Sequence, residues 1–355
     1  MQGNRHFPGA EEGRTFFYYL KKYRLFFIIA LAAGVLFLLI SLGPEEEQET
    51  YHLITMDTMV ELSFIVPEGG DAEEIKDAVF AEMERLEKLF SRTIADSDVS
   101  RVNNLAGIEP AVVSPESYKL IELAYHYALI SNGAFEPTIG PLIDSWGFLN
   151  QEFRLPERAK IEQLLPLVNY QRLELDQAAS TIYLPEKGMI LELGGLAKGF
   201  ILDRAMAVLK NYRVCSAFIN AGGDIALLGS RPDGEPWKLG ILHPRAEKKI
   251  LAVLNVSDRA VVKSGDYERH FDRAGIAYHH IIDPQAGKPA RELASVTVIA
   301  ATAAEADALS TAIFVLGPSE GLALIEKMPG VEGVLVTPEL KVFVSSGMED
   351  IIEFQ

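Results

Sequence analysis

Leu191-Glu192-Leu193-Gly194-Gly195-Leu196-Ala197-Lys198-Gly199 is the stretch on which the reading of this chain turns. A strand-like run from Thr181 to Leu191, interrupted at Lys187-Gly188, leads into it, and a helix is expected from it to about Lys210. Two adjacent glycines at a strand-to-helix turn let main-chain amides and carbonyls approach a ligand that a side chain would keep away. The helix start behind them favours negative charge, of which phosphate is the commonest cellular example. Glu192 and Lys198 add a carboxylate and a cation within the same turn. The spacing matches neither the G-x-G-x-x-G of a dinucleotide turn nor the G-K-[ST] ending of a phosphate loop. Alone, the turn reads as structural more readily than as a ligand site; its meaning comes from the rest of the chain.

Outward from that turn, 355 residues suffice for one large domain or two ordinary ones. A hydrophobic fraction of 48% with 23% charged residues is that of a folded globular protein. The net charge of -17 comes with no cationic stripe, which sets nucleic acid aside as a partner. The same acidity suits a site that gathers Mg²⁺. Cys215 is the single cysteine, so neither an internal disulfide nor a thiolate metal cluster can form, and its apolar neighbours point to a small buried side chain.

Residues 1–24 are polar and aromatic and end in Lys21-Lys22-Tyr23-Arg24. Residues 25–42 are apolar except for Gly34 and Ser41 and would cover roughly 27 Å as a helix, enough to span a bilayer core. Cations crowd the N-terminal flank and Glu45-Glu46-Glu47 the other. The positive-inside rule then puts a cytoplasmic tail at 1–24, a transmembrane signal anchor at 25–42 and everything beyond outside the cell membrane. The small-x-small triplet Ala30-Leu31-Ala32 lies inside the apolar run, so an uncleaved anchor is expected. Residues 43–50 read as an acidic linker and 51–355 as one compact domain.

Within that domain, Val60 to Val66 alternates as a strand, and Asp71 caps a helix with apolar positions Ile75, Val79, Met83, Leu86 and Phe90. Ser114-Pro115-Glu116 opens a second helix that Gly133 stops, and a third is expected from about Pro156 to Leu167. After the helix at Lys198, strands are expected at 218–228, 238–242, 250–256, 260–263 and 296–300. A helix from about Ala303 to Val315 follows, then a second one capped at Pro318. Hairpin-like strands interspersed with helices indicate an α+β or mixed α/β fold, not a doubly wound parallel sheet.

Chemistry is carried by a few stretches. In Asp307-Ala308-Leu309-Ser310-Thr311 the carboxylate and the Thr311 hydroxyl stand at i and i+4 on one helix face, with Ser310 beside them. Hard oxygen donors in that arrangement suit Mg²⁺, although ordinary helix polarity looks the same. Ala306, Leu309, Ile313 and Leu316 would form the core face, with Asp307 and Thr311 at its border. In His279-His280-Ile281-Ile282-Asp283-Pro284 a histidine at a strand end could be a general base, with Asp283 orienting the loop. Adjacent strand histidines face opposite sides, so they do not form a metal pair. The aromatic, turn-rich segment from Asn132 to Phe148 could clasp a flat ring.

Taken together, these residues resemble the ApbE family of FAD:protein FMN transferases. The resemblance runs through Met56-Asp57-Thr58, Phe90-Ser91 with Asp96 to Asn103, Gly133 to Thr138 with Trp146-Gly147-Phe148, and Glu192 to Gly199. It continues through Asn220 to Asp224, Ser264 to Tyr267, His280 to Pro284, and Asp307 to Thr311. It implies an α+β, T-fold-like arrangement of mixed sheets and packed helices. It also implies an extracytoplasmic, Mg²⁺-dependent enzyme that splits FAD, passes the FMN phosphate to a threonine or serine hydroxyl, and releases AMP. The acceptor would be a membrane or cell-surface electron-transfer protein with an FMN-binding domain. By resemblance, Asp307 and Thr311 are Mg²⁺ ligands, with the Gly195 carbonyl and, beside them, Ser310. Met56, Thr93, Ala134, Phe135, Glu136, Glu192, Lys198, His280 and Ile281 line the FAD site, and His280 and Asp307 are catalytic.

Several positions depart from the family pattern: Asp57 stands for Gly, Thr93 for Tyr or Trp, Glu136 and Glu192 for Asp, and Lys263 for Thr. The alternatives are an FAD pyrophosphatase that makes FMN and AMP without an acceptor, and a surface protein that holds FAD without turnover.

Overall fold

The computed structural model describes residues 48–150, 152–246 and 248–355. The expected tail, the anchor at 25–42 and most of the linker lie outside the described residues. Residues 48–355 form one compact unit. Its first strand starts at Gln48, so residues 48–50, expected in the linker, already pair in the sheet.

Seven helices are described: α1 (Ala72–Phe90), α2 (Asp98–Asn104), α3 (Pro115–Ile130), α4 (Gly140–Trp146), α5 (Arg158–Leu164), α6 (Ala197–Asn211) and α7 (Ala303–Ile325). Asp71 caps α1 by accepting from the Glu73 and Glu74 amides, and the buried stripe is Ile75, Val79, Met83, Leu86 and Phe90, as the periodicity requires. Ser114 caps α3 with Pro115 in its first turn, and the helix stops at Ile130, ahead of Asn132 and Gly133, both left-handed. The helix expected from 156 to 167 is shorter, ending at Leu164 with a 3₁₀ turn over Leu165–Leu167.

The central sheet has eight strands: β1 (Gln48–Thr55), β2 (Thr58–Ile65), β3 (Ala217–Ala221), β4 (Asp224–Leu228), β5 (Ala260–Gly265), β6 (Ser295–Ala300), β7 (Glu332–Val336) and β8 (Val342–Val344). They lie side by side in chain order and every neighbouring pair is antiparallel. The alternation of each strand sorts the core into two layers. Val60, Leu62, Phe64, Ile219, Val262, Val296, Val298 and Leu335 face α1, α6 and α7. Leu227, Val261, Ile299, Val334 and Val336 face a three-stranded sheet built from Trp237–Leu242, Ile250–Val256 and Ile352–Phe354. Helices on one face and a small sheet on the other make the α+β fold that the element order indicates.

Two expectations change. The strand-like run from Thr181 to Leu191 pairs only over Thr181–Tyr183, because Pro185 has no amide to donate and Lys187-Gly188 turns the chain. Farther on, Ile190 makes a single parallel bridge to Ile139. The segment from Ala303 is two helical pieces, since Gly317 breaks it at φ 77° just before Pro318, and that break was expected. Its first piece is buried nearly all round instead of on one stripe, and Asp307 is buried where the core meets the cleft. Among the described helices α7 is long and apolar enough to cross a membrane, yet it packs against α6 and the central sheet as the core helix.

Candidate functional site

A cleft of about 330 Å³ opens where the Gly194-Gly195 turn, the first turns of α6 and α7, and the ends of β4 and β5 converge. Gly199, in the first turn of α6, makes this convergence possible. A Cβ there would lie 2.2 Å from the Ala303 carbonyl oxygen, so only glycine lets α6 approach the start of α7. At that approach the Gly199 amide donates to Asp307 Oδ2 at 3.0 Å. Thr311 follows one turn later, and a Cβ on Gly195 would stand 3.1 Å from its Oγ1. The Gly195 main chain, the Thr311 hydroxyl and the Asp307 carboxylate therefore share one wall of the cleft.

The electrostatics of that wall are unusual. Burial pushes the Asp307 carboxyl up to about 7, and the neighbouring Asp224 adds to this, while Lys198 and the Gly199 amide oppose it. Lys198 is ion-paired with Asp224. Burial works against the Lys198 charge, but Asp224 and Asp307 more than offset it and hold the ammonium above its ordinary value. A second pair, Lys263 Nζ to Glu268 Oε1 at 3.1 Å, lines the same cleft.

His279 and His280 point to opposite sides, as strand neighbours do. His279 is buried against Phe314 and its Nε2 lies 2.7 Å from the Ala290 carbonyl. His280 lines the cleft, with Nδ1 3.3 Å from the Arg269 carbonyl and its ring edge-on to Phe148. That carbonyl can only accept, so Nδ1 carries the proton and Nε2 keeps a free lone pair. Desolvation, helped by Arg269 and His279, lowers His280 to about 3, which keeps the ring neutral. Asp283 accepts from the Gln285 and Ala286 amides and holds the following turn, the orienting part expected of it.

The expected flavin-site residues gather here, but their side chains do different work. Met56 and Asp57 form the two-residue turn between β1 and β2, both with positive φ, and the Met56 amide donates to Glu87 Oε1 at 2.8 Å. Thr93 lines the cleft mouth with its hydroxyl 2.8 Å from Ser91 Oγ. Ala134, Phe135 and Ile281 supply apolar surface, and the Phe135 ring lies against Gly195. The Glu136 carboxylate accepts from the Thr138 amide and hydroxyl through one oxygen and from the Tyr170 amide through the other. Burial nonetheless leaves it above the usual carboxylate range. Its oxygens are taken by the loop, so it shapes the cleft more than it meets a ligand. Glu192 Oε1 accepts from the Gly194 amide at 2.9 Å.

Ser310 lies deeper than Asp307 and Thr311. It is fully buried behind the cleft wall, its hydroxyl donating to the Asp307 carbonyl at 2.9 Å and meeting Ser264 Oγ at 2.9 Å. Trp146 also faces away from the cleft, donating Nε1–H to the Gly287 carbonyl within a separate core of α4, α5 and Ile282. Cys215, expected to be buried, is exposed.

Arg92 and Asp224 line the cleft and were not singled out as site residues from the sequence. An arginine in an ordinary loop carries no local signal. Asp224 entered the sequence reading only within the Asn220 to Asp224 stretch of the resemblance, with no role of its own. Among the described residues no three His, Cys, Asp or Glu side chains form a metal-holding cluster.

Comparison with known proteins bears on this geometry. A family model described as the ApbE family matches residues 56–335. The chain is 34% identical over 289 residues to an FAD:protein FMN transferase of Treponema pallidum, spanning 77% of this chain and 80% of that one. It is 34% identical over 276 residues to one of Klebsiella pneumoniae, spanning 77% and 85%. Among solved structures it resembles the ApbE protein of Thermotoga maritima with a TM-score of 0.80 and 32% identity, covering 85% of this chain and 98% of that one. The flavin transferase ApbE from Vibrio cholerae superposes with a TM-score of 0.78 at 26% identity, covering 86% and 99%.

Proposed function

The chain belongs to the ApbE family, and from that premise we propose how its cleft works. It is an FAD:protein FMN transferase: it takes FAD, attaches the FMN moiety through its phosphate to a threonine or serine hydroxyl of an acceptor protein, and releases AMP. The observation that carries the site assignment is Asp307, buried in the cleft wall yet held next to Asp224, with the Thr311 hydroxyl and Gly195 main chain beside it.

The donors fit Mg²⁺. One carboxylate, one hydroxyl and one carbonyl are hard oxygens, and Mg²⁺ is ordinarily held by one or two carboxylates plus water and substrate phosphate. A carboxyl pushed up to about 7 by burial and a neighbouring carboxylate is a group that a cation relieves. Such a set has a single carboxylate, so it is not a cluster of three acidic or histidine ligands. Asp307, Thr311 and the Gly195 carbonyl would hold the ion, which when bound neutralises charge on the pyrophosphate.

The protein's own groups do the rest. The Gly194-Gly195 turn and the start of α6 receive the phosphates, and Lys198 brings a positive charge already paired with Asp224. Phe135, Met56 and Phe148 supply apolar walls for the flavin. His280, neutral and with Nε2 free, accepts the proton of the acceptor hydroxyl. A phosphoanion nearby raises its basicity from the low value set by desolvation. The hydroxyl oxygen bonds to the flavin-side phosphorus, the bond to the bridging oxygen breaks, and AMP leaves with that oxygen.

An N-terminal cytoplasmic tail, a single membrane-spanning anchor at 25–42 and an extracytoplasmic catalytic domain complete the proposal, supported by the charge asymmetry around that run. The acceptor is then a membrane or cell-surface electron-transfer protein with an FMN-binding domain. Incubating the chain with FAD, Mg²⁺ and such an acceptor should give a flavin-fluorescent band that survives denaturing electrophoresis. AMP release without a covalent flavin would mark a pyrophosphatase instead, and intact FAD a binding protein.

A further inference from the structure

His280 stands at the foot of a hairpin formed by His270–Arg273 and Ile276–His279. Among the described residues those two strands pair only with each other, so no neighbouring strand fixes the hairpin on the body of the protein. Yet its foot sets the state of the base. The Arg269 carbonyl accepts from the His280 amide at 3.0 Å and lies 3.3 Å from Nδ1 of the same residue. The tautomer that leaves Nε2 free thus depends on where Arg269 sits, and Arg269 sits where the hairpin does.

What seats the hairpin is a run of rings. Phe271 and Tyr278 are directly opposite each other across its ladder and stack with centroids 5.4 Å apart. His280, two residues beyond Tyr278, continues the same face. That face rests on Trp146-Gly147-Phe148. Trp146 lies 5.6 Å from Tyr278, while Phe148 lies 5.8 Å from Phe271 and 6.4 Å, edge-on, from the His280 ring. Gly147, at φ 76°, turns the chain back sharply: a Cβ there would stand 2.1 Å from the Glu152 carbonyl oxygen. The reversal, closed by the Arg154 amide donating to the Trp146 carbonyl, brings Phe153 onto Phe271 at 5.1 Å and against Phe148 at 5.7 Å. Burial alone is a weak reason for these rings, since Phe153 is 42% exposed and Phe271 only half-buried. Stacked and edge-to-face aromatic pairs do fix mutual orientation, and here the chain of them ends on the base.

We infer that Phe271 and Phe153 are positioning residues for the transfer: they clamp the hairpin onto Phe148, and Phe148 holds the His280 ring at the angle from which Nε2 meets the acceptor hydroxyl. The inference rests on the assignment of His280 as proton acceptor in the transfer reading above. Neither ring touches substrate; both act through the histidine.

The test uses the full chain in detergent micelles with FAD, Mg²⁺ and a purified acceptor carrying an FMN-binding domain. Phe271→Ala and Phe153→Ala should each lower kcat about tenfold or more, the scale of a small misplacement at a reacting centre. The acceptor KM, and FAD affinity read by flavin fluorescence, should stay within about threefold of the parent. Phe271→Tyr keeps the ring and should recover most of kcat. On a His280→Ala background, Phe271→Ala should cost less than about twofold more, because both losses pass through one side chain. Hydrogen exchange reads the clamp without turnover: in Phe271→Ala the amides of residues 270–280 should exchange faster, while those of 197–211 and 303–313 keep their parent rates. Fully additive losses, a parent-like kcat in Phe271→Ala, or unchanged exchange at 270–280 each overturn the inference. So does faster exchange throughout the chain in both alanine variants, which would assign the rings to folding alone. If the parent forms no covalent flavin, or His280→Ala transfers at the parent rate, the transfer reading itself falls and takes the inference with it.

Discussion

Arg92 Nε lies 2.6 Å from Glu192 Oε2, while the other end of the same guanidinium pairs with Asp144. The arginine side chain is only 7% exposed and its Nε–H has no well-aligned acceptor. One buried cation thus ties α4 to the carboxylate that receives the Gly194 amide. Removing the cation strands two carboxylates, but Asp144 is 39% and Glu192 21% exposed, so the cost is on the order of 1–2 kcal/mol, below that of a fully buried network. Arg92→Met should lower unfolding free energy by roughly that amount and weaken FAD binding, since the Gly-Gly turn loses its tether. Adding Glu192→Gln should recover part of the stability. Denaturant unfolding and flavin fluorescence titration check both.

Asp307→Asn keeps the shape and the acceptor for the Gly199 amide while removing the charge. Covalent flavin formation should fall by roughly 10²–10³-fold or more, the scale seen when one electrostatic contact at a reacting centre is lost. The variant should remain folded, with unchanged far-ultraviolet circular dichroism. Activity within a few-fold of the parent would refute the site assignment.

Asp57 adopts φ 56° as the second residue of the β1–β2 turn, directly after Met56 at φ 53°. A two-residue turn with both angles positive is the type I′ hairpin, which favours glycine at its second position. Asp57→Gly should therefore raise stability by up to about 1 kcal/mol and leave FAD binding nearly unchanged. Thermal unfolding measures the first and fluorescence the second. Met56→Val, β-branched at a left-handed position, should destabilise instead.

Asp203 accepts from the Ala303 and Ala304 amides at the start of α7, yet burial outweighs those bonds and pushes it up to about 6. A carboxyl raised from 3.8 in this way binds a proton in the folded chain that the unfolded chain has already released. Its contribution to stability is therefore most favourable below about pH 4 and falls as pH rises to about 6, by on the order of 2–3 kcal/mol. The stability difference between the parent chain and Asp203→Asn should shift by that amount toward the variant between those pH values. A flat difference would remove the assignment.

Much of this was legible in the residues. The α1 stripe, the Ser114-Pro115 helix start and the i, i+4 pairing of Asp307 with Thr311 follow from local periodicity, and the structure obeys it. What escaped was decided by long-range packing. Arg92 draws its meaning from Asp144 and Glu192, far away in the chain. Ser310 is buried with its hydroxyl against Ser264 on β5, a contact that local spacing does not show. The hairpin at 270–279 is exposed along most of its length and shows no half-buried alternation to read. The run before the Gly-Gly turn reads as one strand, but Pro185 and Gly188 end its pairing after Tyr183.

The contact between Gly199 and the Ala303 carbonyl leaves no slack between α6 and α7. Any side chain added at 199 would pry the start of α6 off α7, so a single hydrogen atom in place of a methyl sets the spacing between the ammonium of Lys198 and the oxygens of Asp307 and Thr311 across the cleft.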